Sequence, residues 1–161
     1  MTTDIEIDYQ IVSDIRDDEY LPDHAMVENW VSRLLQELHY EQPVQLSIRV
    51  VGEQEITQLN EKYRKKNQAT NVLSFPYEPL PGVNVPLLGD VVVCARIVGQ
   101  QAKQQGKSPD QHWAHMIIHG VLHLLGYDHI KAADADEMEA IEINILSKLG
   151  FPNPYGETNT L

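Results

Sequence analysis

The chain has 161 residues, 42% hydrophobic and 22% charged, which fits one domain large enough to bury a core. Its single cysteine, Cys94, excludes a disulfide framework and a cysteine-based zinc ribbon, and favours a reducing compartment. The net charge of −12 argues against a nonspecific nucleic-acid binder, because basic contacts to phosphate supply most of that affinity. Its distribution softens that exclusion: acid gathers at 14–23 and 134–142, while EKYRKK (61–66) is a local basic cluster. The acidic opening MTTDIEIDYQ lacks a signal-sequence pattern, and no apolar run approaches the roughly 20 residues that span a membrane, so a cytoplasmic protein is expected.

DIEIDYQIV (4–12) alternates apolar and polar residues and reads as a strand. Residues 21–40 follow as an amphipathic helix, with Val27, Trp30, Val31, Leu34, Leu35 and Leu38 in one stripe and Pro22 in its first turn. PVQLSIRVV (43–51) is a second strand. A helix over 53–66 buries Ile56, Leu59 and Tyr63, and NVLSFPY (71–77) is a short strand stopped by proline. The Pro-rich stretch 78–88 is a loop. LGDVVVCA (88–95) is a strand buried on both faces. A helix then runs to Gly106, and Ser108-Pro109-Asp110-Gln111 opens the next one with a capping box, ending at Gly126. The last helix, about 133–149, presents Met138, Ile141, Ile145 and Leu149 and stops at Gly150, after which FPNPYGETNTL reads as a frayed tail. The fold class is α/β (α+β): one domain over 1–155 with a mixed four-stranded sheet, about five helices packed mainly on one face, and residues 156–161 trailing.

HGVLHLLGYDH (119–129) carries the chemistry. His119 and His123, four residues apart on a helix, can grip one ion together. Leu122 and Leu125 pack toward the core, and Gly126 permits the positive φ that turns the chain back and brings His129 to the same point. Three imidazoles leave a tetrahedral zinc with its fourth position open, the arrangement of a catalytic site. The bland alternative is a histidine-rich helix surface, since His112 and His115 lie on the same helix; His115 is the rival ligand. The spacing is also that of the metzincin metalloproteases, but Gly120 stands where their general-base glutamate would be, which demotes peptide hydrolysis. Asp128 reads either as a base or partner of an imidazole N–H, or as a plain turn residue.

The chain resembles the YbeY family of endoribonucleases and rRNA maturation factors. The resemblance rests on HMIIHGVLHLLGYDH (115–129), LNEKYRKKNQATNVLSFP (59–76), LLGDVVVCA (87–95) and GFPNPY (150–155), in that order. It implies a metal-dependent, single-strand-directed endoribonuclease acting in 16S rRNA 3′-end maturation, ribosome quality control and small-subunit assembly. The implied partners are ribosomal RNA, the small subunit with its proteins, and an assembly GTPase. It further implies one zinc on His119, His123 and His129, and a functional Arg64. Ala69 departs from the family, which usually has proline there.

The residues themselves leave Arg64 between two roles: a planar fork for phosphate oxygens, or a cation at a helix end favoured by the helix dipole. Lys65 and Lys66 read as RNA-backbone contacts and Lys62 as a further such contact, or all three as solvated charges. Asn71 and Ser74 are polar positions in an apolar strand that can face the site, and Thr70-Asn71 fits turn chemistry equally well. The reading is therefore a zinc-dependent RNA hydrolase lacking a dedicated general base. Its rivals are an RNA- and protein-binding assembly factor with structural zinc and, less favoured, a metallopeptidase.

Overall fold

The computed structural model of the chain describes residues 4–16, 18–82, 85–127 and 132–155. Among them are four strands and five helices: β1 (Ile5–Ile11), α1 (His24–Glu37), β2 (Val44–Val51), α2 (Glu53–Arg64), β3 (Val72–Pro76), β4 (Leu87–Cys94), α3 (Ala95–Gln104), α4 (Pro109–Leu124) and α5 (Ala132–Lys148). The strands form one sheet in the order β1-β2-β4-β3. β1, β2 and β4 run parallel and β3 pairs antiparallel with β4, so β3 is a free edge. The expected mixed sheet and α+β class are what the structure contains.

Both faces of the sheet are covered, as the near-continuous apolar run in β4 requires, but unequally. Alternate residues Val91 and Val93 face a large core with Leu46, Ile48, Val50 and the buried sides of α1, α4 and α5. Val92 and Cys94 face a smaller cluster with Val51, Ile56 and Leu73 beneath α2. α4 crosses the middle of the larger layer and is buried on nearly every side, including Trp113, Ile117, Ile118 and Leu122. Among the described residues no helix is long and apolar enough to cross a membrane.

Several boundaries differ from expectation, each for a local reason. Pro22 lies outside α1, because Asp23 is the N-cap and its side chain accepts from the Met26 backbone N–H at 2.8 Å. α1 also stops at Glu37 instead of residue 40, with His39 in the left-handed region (φ 56°) and the Tyr40 N–H returning to Leu35 O. Tyr63 is 52% exposed and not part of the buried face of α2; Asn60 takes that place, with its Nδ2 donating to Gln68 O at 2.9 Å. Ser108 caps α4 as expected, accepting from the Gln111 N–H at 3.2 Å. The tail is not frayed over 151–155. The Phe151 N–H donates to Leu146 O at 2.8 Å, and Lys107 Nζ donates to Pro154 O at 3.0 Å. Residues 156–161 lie outside the described residues.

Candidate active site

α4 ends in a Schellman turn: the Gly126 N–H donates to His123 O at 3.1 Å and the Tyr127 N–H to Leu122 O at 3.0 Å, with Gly126 at φ 101°. The chain thus leaves the helix immediately beyond His123. His119 and His123 emerge one turn apart on this last stretch, and their Nε2 atoms face each other at 3.2 Å. His129 and Asp128, named from the sequence as third ligand and base or orienter, lie outside the described residues.

Arg64, at the end of α2, reaches the free edge of β3, where its Nη2 donates to Ser74 O at 2.8 Å and its guanidinium lies 5.7 Å from the Phe75 ring centre. Ser74 is itself buried, and its Oγ donates to Gly120 O at 2.9 Å. One serine therefore ties Arg64 to the helix that carries the two histidines. Gly120 permits this close approach: a Cβ there would meet Val91 Cγ1 at 2.7 Å and Ser74 Oγ at 3.3 Å.

These elements enclose a cavity of about 730 Å³ whose lining includes Arg64, Lys66, Asn71, Ser74, His119 and His123. Lys65 does not line it; it caps α2 in the left-handed region (φ 62°) and is exposed. Both readings of Asn71 hold, since it faces the cavity while its Oδ1 accepts from the Val72 N–H at 2.7 Å. Arg64 also stands at the helix end, since α2 has Glu53 and Glu55 in its first turn and Lys62 and Arg64 in its last.

The remaining histidines of α4 are not surface decoration. His112 and His115 are 3% and 6% exposed. His115 Nε2 is engaged by Glu142 Oε1 at 3.3 Å and the Tyr155 hydroxyl at 3.1 Å, whereas the His119 and His123 Nε2 atoms face each other. Glu142 went unread in the sequence, although it stands four residues after Met138 and three before Ile145 on the buried stripe of α5. It is fully buried, and His119 Nδ1 donates to its Oε2 at 2.6 Å. Burial alone would raise the Glu142 carboxyl, but hydrogen bonds from His115 and His119 outweigh it and hold it at about 2. Burial, with Glu142 beside it, pushes the Tyr155 phenol well above its usual range.

His112 packs against Gln101, with Nε2 and Gln101 Oε1 at 2.8 Å. Burial, then the neighbouring His115 and Lys107, lower its pKa to about 4. An imidazole kept neutral in the fold but free to charge in the unfolded chain stabilises the fold above about pH 6.5. That stability is lost as pH falls toward 4. About 2 kcal/mol should disappear between pH 7 and pH 5. Denaturant melts at the two values check this, and His112→Gln should shrink the difference; an unchanged midpoint in the unaltered protein would refute the assignment.

The histidine pair is chemically suited to zinc. Zinc–imidazole bonds of about 2.0–2.1 Å at a tetrahedral angle separate two nitrogens by roughly 3.3 Å, close to the 3.2 Å between His119 and His123 Nε2. With its Nδ1–H on Glu142, a neutral His119 has the lone pair on Nε2. Among the described residues no group of three or more His, Cys, Asp or Glu side chains is placed to hold a metal ion, so the pair would supply two ligands of the expected three.

The solution structure of TM1509 from Thermotoga maritima is similar over 96% of this chain and 99% of that one, with a TM-score of 0.55 at 22% identity, a likeness of fold. The family model described as endoribonuclease YbeY matches residues 12–150, the span holding β2, β3 and β4, all five helices and the cavity. By that match the chain belongs to the YbeY family of endoribonucleases.

Proposed function

We propose that the chain is a zinc-dependent endoribonuclease that cuts single-stranded RNA, acting in the cytoplasm on ribosomal RNA. Its place would be 16S 3′-end maturation, quality control and small-subunit assembly, alongside the subunit's proteins and an assembly GTPase. The observation that carries this reading is one cavity lined by two cations, Arg64 and Lys66, and by the imidazoles of His119 and His123. A phosphodiester needs that combination, with charge to receive its oxygens and nitrogen ligands for a metal beside them. The cations also answer the net charge of −12, because a local basic groove suffices where contacts are few.

In this reading His119, His123 and His129 hold zinc, which when bound acidifies a water and polarises phosphoryl oxygens. Arg64 stays where Ser74 O and the Phe75 face fix it, and directs its other N–H groups at the phosphate. Lys66 adds charge along the strand backbone, and Lys65, outside the cavity, contributes at most to the approach of RNA. Arg64→Ala should lower cleavage of a single-stranded rRNA fragment by about 10²–10³-fold. Arg64→Lys should recover only part of that, because an ammonium keeps the charge and loses the fork. Equal rates for Arg64→Ala and the unaltered protein would remove Arg64 from the machinery.

One observation favours the second reading, an RNA- and protein-binding assembly factor with structural zinc. Among the described residues, none lining the cavity is a carboxylate, so no carboxylate general base stands there beside the two histidines. RNA binding without metal-dependent cleavage is the outcome that would select it.

A further inference from the structure

We propose that Glu142 is the positioning residue of the histidine pair: its carboxylate keeps the His119 proton on Nδ1, so that the Nε2 lone pair is presented beside His123. The inference rests on the reading of His119 and His123 as metal ligands, and its first test needs no metal.

Glu142 lies on α5, away from the cavity lining, and is 0% exposed. Its neighbours along the helix, Met138, Ile145 and Leu146, are buried and apolar, so an apolar side chain would suit packing alone. A buried carboxylate is instead retained here with every contact directed. His119 Nδ1 donates to Oε2 at 2.6 Å, while the Tyr155 hydroxyl donates to Oε1 and His115 Nε2 stands 3.3 Å from it. An ionised carboxylate only accepts, so the nitrogen facing it carries the proton, and in a neutral imidazole the other nitrogen is then bare. That bare nitrogen is the one 3.2 Å from His123 Nε2. A carboxylate behind an imidazole also makes the imidazole a better electron donor and fixes its ring.

Tyr155 extends the arrangement to the segment after α5. Its ring packs edge-on against His115 at 5.3 Å between centres, and its N–H donates to Asn153 Oδ1 at 2.8 Å. With Phe151 and Pro154 also tied down, the segment delivers one hydroxyl to the carboxylate and fixes its rotamer. Glu142 and Tyr155 thus act through His119 and touch no substrate.

The first test is long-range ¹H–¹⁵N NMR of the metal-free, unaltered protein at mildly alkaline pH. His119 should carry its proton on Nδ1; a proton on Nε2 overturns the proposal whether or not any variant folds. In Glu142→Gln protein that preference should weaken into a mixture. Zinc affinity, read by competition with a chromophoric chelator, should fall by about 10–100-fold in Glu142→Gln and in the same direction, by less, in Tyr155→Phe. Zinc binding by Glu142→Gln as tight as that of the unaltered chain overturns it. Should the unaltered chain take up no zinc, the metal-ligand reading fails, and the His119 tautomer still decides the role of Glu142.

Discussion

Gly120→Glu should leave the protein unfolded or close to it, and should not confer peptidase activity. Position 120 is where the metzincin spacing would place a general base, yet here it is the contact point between α4 and the sheet. Even a methyl group there would sit 2.7 Å from Val91 Cγ1, and valine, stiff about χ1, cannot swing aside at little cost. For Gly120→Ala the gain in helix propensity, about 1 kcal/mol, opposes an overpacking cost of roughly 1–3 kcal/mol. A modest net loss is expected. Glutamate adds four more heavy atoms and a charge with no partner in a dry interface, which costs several kcal/mol more. Against a typical domain stability of about 5–15 kcal/mol, that is most or all of the reserve. Circular dichroism melts of both variants check the ordering. A folded Gly120→Glu protein with a melting point near that of the unaltered chain would mean that α4 does not rest on β4 as described.

His123→Ala should show the converse, with stability kept and activity lost. The side chain is half-buried at the end of α4, on the cavity side of a turn closed by backbone hydrogen bonds. Its removal opens no core cavity, and a change within about 1 kcal/mol is expected. Cleavage should drop by about 10³-fold or more, because a catalytic metal contributes several kcal/mol and each 1.4 kcal/mol is about tenfold in rate. His119→Ala should lose activity likewise but cost more stability, since it strands the Glu142 carboxylate in the interior without its shortest imidazole bond. A His123→Ala protein that cleaves normally would dissociate the pair from catalysis.

The pattern of elements was legible because each depends on local information. Period-2 alternation marks β1 and β2, the unbroken apolar run marks β4, and Ser108-Pro109 and Gly126 bracket α4. Helix ends were less legible where a side chain competes for the cap. Asp23 displaces Pro22 from the first turn of α1, and nothing in the hydrophobic stripe registers that competition. The exchange of Tyr63 for Asn60 on the buried side of α2 has a similar cause. Asn60 is buried because it serves the Gln68 carbonyl, and Tyr63 lies outside to meet Phe75 edge-on at 5.2 Å.

At the site, His119 and His123 were legible as a pair from spacing and residue type, whereas Arg64 was left between two roles by its residues and drawn toward the site by the family resemblance. Their joint lining of one cavity depends on β3 being the edge strand, which pairing alone determines. Glu142 and Tyr155 were out of reach because they come from separate segments and meet His115 and His119 only in the fold. The one available signal was an acid on the apolar stripe of α5, a position where an unpaired carboxylate would be expelled.

The most direct measurement is cleavage of a single-stranded rRNA fragment by purified protein before chelation, after it, and after zinc is returned, with metal content read on each sample. A metal-dependent nuclease built on His119 and His123 predicts about one zinc per chain, loss of cleavage with its removal, and recovery on its return. Cleavage that continues unchanged in samples without measurable metal would contradict it.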